Sequence, residues 1–89
     1  MQVIKTTQAV TVQQVAKTLN KSGLKKAKTE RINFQDVQTG HFEARHLKCY
    51  GLNTINVCPQ NGTTCEQIES VLNSQGIKTQ IVKGYVVIL

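Results

Sequence analysis

Five nitrogen or sulfur side chains in this 89-residue chain have the chemistry to hold a metal or attack a carbonyl: His41, His46, Cys49, Cys58 and Cys65. His46-x-x-Cys49 has the spacing of half a zinc site, and Cys58 and Cys65 are the only thiols left to complete it. Those two are separated by six residues, without the close pairing of a zinc knuckle. Cys65 also falls on an apolar helical stripe, where a packed thiol is the simpler reading. Cys49 with His41 or His46 would make a nucleophile and base, but nothing nearby supplies an orienting carboxylate. Glu43 and Asp36 read as surface charges. No glycine-rich phosphate loop or dinucleotide fingerprint is present. An odd number of cysteines and no secretory signal point to free thiols. The expectation is a protein without catalytic residues, metal or cofactor.

The second candidate is charge. Net charge is +6, and all of the excess lies in the first half. Residues 1–51 carry nine cations against Glu30, Asp36 and Glu43, whereas Lys78 and Lys83 balance Glu66 and Glu69 in the remainder. Lys17, Lys21, Lys25, Lys26, Lys28 and Arg31 crowd one stretch. Lys17 and Lys21 stand four apart, on one face of a helix, and the others follow from its end. Together they are the expected partner-binding residues, suited to phosphates or acidic side chains. Phe34 is the only aromatic nearby, so contact with a nucleic-acid backbone is expected rather than base stacking. The same lysines would also serve as a merely solvating face.

The elements that must position these residues are marked by a repeat. Thr11–Lys25 and Thr64–Lys78 align without a gap, with six of 15 positions identical: Thr11/Thr64, Gln14/Gln67, Leu19/Leu72, Asn20/Asn73, Gly23/Gly76 and Lys25/Lys78. Thr11 with Gln14, and Thr64 with Gln67, fit capping boxes; Thr63 with Glu66 is a competing start for the second. Val12, Val15, Ala16 and Leu19 form one apolar stripe, and Cys65, Ile68, Val71 and Leu72 the other. Gly23 and Gly76 sit where a Schellman ending needs a left-handed residue, with Leu24 and Ile77 folding back. Helices are expected over about 11–22 and 64–75, as an internal helix–strand duplication or as two similar amphipathic helices.

The rest of the chain reads mainly as strands. Residues 1–9 are assigned a short strand, and 26–34 a strand or extended arm by analogy with the second copy. Gln38-Thr39-Gly40 reads as a turn, 41–50 and 52–58 as a hairpin, and Pro59-Gln60-Asn61-Gly62 as a turn. Residues 77–82 and 85–89 are joined at Lys83-Gly84. Tyr85–Leu89 is apolar on both faces, which predicts a central strand. The expected fold is α+β: one domain over residues 1–89, order (β)αβββαββ, with two helices on one face of a mainly antiparallel sheet. No apolar run is long enough to span a membrane, and a cytoplasmic protein of open oligomeric state is expected.

Helix–strand–strand–strand–helix resembles the order of the double-stranded RNA-binding domain. Thr63-Thr64-Cys65-Glu66 stands where that family carries lysines. A helix-turn-helix reading takes Val12–Ser22 as first helix and Lys25–Ile32 as recognition helix. Val15-Ala16-Lys17-Thr18-Leu19, Gln75-Gly76-Ile77 and Tyr85-Val86-Val87 resemble a pattern in small accessory proteins of bacteriophages. That resemblance implies a non-enzymatic, anti-defence role of the anti-CRISPR kind: binding a host protein or nucleoprotein complex that processes nucleic acid. The alternative is a regulatory protein binding DNA or RNA directly through its basic half.

Overall fold

The computed structural model describes residues 5–26, 29–32, 35–38, 40–49 and 52–89, with 29–32, 35–38, 48, 49 and 52 described by backbone alone. The two copies of the repeat fold alike. Helix α1 (Val12–Lys21) and helix α2 (Cys65–Ser74) each run ten residues behind a complete capping box. The amide of Gln14 donates to Thr11 Oγ1 at 3.2 Å, and Thr11 N donates back to Gln14 Oε1 at 2.8 Å. Thr64 and Gln67 repeat both bonds at 3.2 and 2.9 Å, so the competing start at Thr63 is not used.

Both helices also stop in the same way. Gly23 N donates to Asn20 O and Leu24 N to Leu19 O; Gly76 N donates to Asn73 O and Ile77 N to Leu72 O. These are the paired bonds of a Schellman ending. It needs φ of +100° at Gly23 and +79° at Gly76. A Cβ at either position meets nothing within 4 Å, so the cost of Gly76→Ala is conformational alone. We expect it to destabilise the protein by about 1–2 kcal/mol, read as a lowered urea midpoint with unchanged slope.

Beyond the glycines the two asparagines act at matching places. Asn20 Oδ1 accepts the Lys26 amide at 2.9 Å, and Asn73 Oδ1 accepts the hydroxyl of Thr79, also six residues on, at 3.2 Å. From there the copies part. After α2 the chain forms a sheet strand; after α1 it makes a single parallel bridge, Lys26 to Phe42, and enters a separate hairpin. That hairpin pairs β1 (Thr29–Ile32) with β2 (Gln35–Gln38). The expected strand over 26–34 is thus present in part, and Lys25–Ile32 is not a recognition helix. Thr39, inside the expected turn, lies outside the described residues.

The main sheet has four antiparallel strands, β3 (Phe42–Cys49), β4 (Leu52–Pro59), β5 (Thr79–Val82) and β6 (Tyr85–Ile88), in the order β3-β4-β6-β5. As its composition requires, β6 is central: Val86, Val87 and Ile88 are all buried. Both helices lie on one face. Val15, Ala16 and Leu19 of α1 and Ile68 and Leu72 of α2 meet Phe42, Ile55, Val57, Val86 and Ile88 from the sheet. α1 sits over β3, and α2 over β4, β6 and β5. The architecture is the expected two-layer α+β arrangement. Leu72 is fully buried among these groups. Leu72→Ala should cost about 2–5 kcal/mol, measurable by thermal or urea unfolding.

Residues 5–9 do not form the expected first strand; residues 1–4 lie outside the described part. The segment instead crosses the end of the sheet and fills bonds the strands leave open. Thr6 N donates to Asn53 O at 2.9 Å, Thr6 Oγ1 donates to Ile88 O at 2.7 Å, and the same oxygen accepts from Ile55 N at 2.9 Å. Gln8 N donates to Leu89 O at 3.1 Å. Its side chain donates to Lys78 O and accepts from Lys78 N at 2.7 and 3.0 Å. One polar side chain thus satisfies both backbone groups of a residue 70 positions away.

Candidate functional site

Lys17 and Lys21 project from the exposed side of α1, as their four-residue spacing requires. Lys26 joins them because the Asn20 side chain holds its backbone amide and the bridge to Phe42 fixes the other side. The three lysines surround an open depression of ≈ 510 Å³, floored by Val12 and Ala16 and completed by the amides of Gln13 and Asn20. Gln13 and Asn20 have no place in the site expected from sequence. Asn20 stands out there only as an identity between the two copies, without a role.

Among the described residues the cations of this site have no counter-charge. α1 contains no acidic residue. Among the described residues, no carboxylate comes within ion-pair distance of Lys17, Lys21, Lys25 or Lys26. Arg45, on the opposite face of the sheet, shows the contrast. Its guanidinium donates to both carboxylate oxygens of Glu43, at 2.9 and 3.1 Å. That hydrogen bonding, and then the negative charge itself, raises the arginine's pKa. Arg45 is already engaged, whereas the three lysines are available.

Of the other expected binding residues, Lys25 is exposed but does not line the depression, and its carbonyl accepts the His41 amide at 2.8 Å. Arg31 belongs to β1, where only the backbone is described, and Lys28 lies outside the described residues. The site brought together is therefore Lys17, Lys21 and Lys26.

The Cys49 side chain lies outside the described part, and the other cysteines and the histidines do not converge. Among the described residues no three His, Cys, Asp or Glu side chains approach one another closely enough to hold a metal ion. Cys58 faces the outer side of the sheet, opposite Glu43, and accepts a hydrogen bond from Gln60 Nε2 at 3.3 Å. Cys65 is partly buried and packs against the core. Partial burial raises the Cys65 pKa, and the nearby Glu66 carboxylate adds to it. Both disfavour the thiolate, the form that attacks or ligates. We expect Cys65 to alkylate more slowly at neutral pH than a cysteine in an unstructured peptide, as mass spectrometry after timed iodoacetamide treatment would read. No helix among the described residues is long and apolar enough to cross a membrane. Compared with protein-family models, curated proteins and solved structures, the chain finds no match in any of the three.

Proposed function

We propose that the protein is a non-catalytic binding module that works in the cytoplasm by setting the basic face of α1 against a host nucleic-acid-processing complex, as an inhibitor of the anti-CRISPR type. The observation that carries this reading is the group Lys17, Lys21 and Lys26 around one depression, with no carboxylate among the described residues to neutralise it. A cationic face is repelled by the basic channels in which such complexes hold nucleic acid. Its partner is therefore an anionic surface of the complex: exposed phosphates of the bound strand, or an acidic protein patch. The likeness to phage accessory proteins supports the choice of host machinery as target.

A second reading, direct binding of free DNA or RNA, is favoured by Gln13 and Asn20 beside the lysines, because amides and ammoniums together bond phosphate oxygens well. Two measurements separate the readings. Capture from a bacterial lysate on the immobilised protein should recover a nucleoprotein complex. It should not do so when Lys17, Lys21 and Lys26 are all changed to Glu; equal recovery by both proteins would refute the proposal. Titration with duplex and single-stranded oligonucleotides at about 50 mM salt tests the second reading, since phosphate contacts are strong at low ionic strength. Tight binding that weakens steeply with salt would favour it.

A further inference from the structure

The two edges of the main sheet are treated differently. At the β3 edge, Lys26 bridges to Phe42 and the Lys25 carbonyl takes the His41 amide. At the other edge β5 pairs only with β6 among the described residues. The register shows which of its backbone groups are left. Leu89 N donates to Lys78 O, so Lys78 stands at a position that faces β6, although its own N–H goes to the Gln8 side chain. Bonded and non-bonded pairs alternate in an antiparallel ladder. Thr79 and Ile81, opposite Ile88 and Val86, therefore turn their N–H and C=O groups away from β6, toward the open side. Between Lys78 and Lys83 the strand reads Thr-Gln-Ile-Val, without charge or proline, the usual protections of an edge. Ile81 is 38% exposed there.

We propose that β5 is a self-association edge, pairing antiparallel with β5 of a second copy of this chain about a twofold axis at Gln80. In that register Thr79 lies opposite Ile81 of the second copy, and Ile81 opposite its Thr79. All four outward N–H groups and their carbonyls find partners. Lys78 meets Val82 of the second copy, so no like charges are opposed. The self-complementary register points to a second copy as occupant, and the charge distribution permits it. Around this edge Lys78 and Lys83 are balanced by Glu66 and Glu69 of α2, which carries no cation, whereas α1 packs over β3 with Lys17 and Lys26 on that side. Two copies of net charge +6 can meet here because their excess charge is remote from the contact. The product is a continuous eight-stranded sheet, two sets of four, with one basic face at each end, a bivalent arrangement.

Sedimentation equilibrium from low to high micromolar protein tests the proposal. The apparent mass should rise toward twice the monomer's, because a short strand pair gives a small, weak interface. Hydrogen exchange should slow at the Thr79 and Ile81 amides over the same range. Ile81→Lys should hold the mass at monomer while keeping the melting temperature within a few degrees, since the side chain is already partly exposed. Ile81→Thr, which keeps β-branching without the charge, should retain association if Ile81→Lys fails to fold. A wild-type protein that stays monomeric throughout, or a folded Ile81→Lys protein that still doubles its mass, overturns the proposal.

Discussion

A chain shortened to end at Val86 is expected not to fold. The deletion removes Val87 and Ile88, which are 6% and 0% exposed on the central strand, together with Leu89. Burying each of these two side chains contributes about 1.5–3 kcal/mol. The backbone loss is as serious. Ile88 O takes the Thr6 hydroxyl, Leu89 O takes both the amide and the side chain of Gln8, and Leu89 N reaches Lys78 O. Without them β5 loses most of its ladder and residues 6–8 lose their anchor. A domain of this size has only about 5–15 kcal/mol in total. Far-ultraviolet circular dichroism should show a largely unstructured chain; a cooperative melt near the wild-type temperature would show that β6 is dispensable. By contrast, Gln8→Ala leaves the buried side chains in place and should cost about 1–3 kcal/mol, the penalty for backbone groups left without partners.

Changing Lys17, Lys21 and Lys26 together to Glu should abolish partner binding while leaving the protein folded. Each exposed cation contributes up to about 1 kcal/mol to a charge pairing. Losing three, before any repulsion from the new carboxylates, weakens binding by roughly 100-fold. If the partner presents phosphates, the dependence of log affinity on log salt should flatten by about 2–3 units, since each phosphate neutralised on duplex DNA accounts for about 0.9. Stability should fall only slightly. The side chains are exposed, and the one specific cost is at Lys21, in the last turn of α1, where positive charge is favoured by about 0.3–1 kcal/mol. Unfolding of the triple variant would assign the lysines to structure. Unchanged binding by a folded variant would move the interface elsewhere, and Lys25 would be the next position to test.

What can be read from sequence follows from the range of the interactions involved. The caps at Thr11 and Thr64, the endings at Gly23 and Gly76 and the central place of Tyr85–Ile88 depend on residues within a few positions, and all stand where local patterns put them. The stretch after Gly23 lacks a clear apolar period of either kind, because β1 and β2 pair with each other outside the main sheet. Its assignment therefore rests on analogy with β5 and is only partly right. The role of residues 6–8 is not legible at all. Their bonds join polar side chains to backbone 49 to 82 positions away, and no local pattern encodes that. In the site, Lys17 and Lys21 are legible from helical spacing, whereas Lys26 depends on a bond from its backbone to Asn20.

The clasp of Gln8 on Lys78 and Leu89 sets Thr6–Gln8 directly beside the end of β6. Residues distant in the chain are thus neighbours in space, so a glycine–serine joint from Leu89 to Lys5, replacing residues 1–4, has only a short distance to span. New ends opened at Asn61-Gly62, an exposed turn between β4 and α2, would then yield a circularly permuted protein in which neither helix nor any strand pairing is cut.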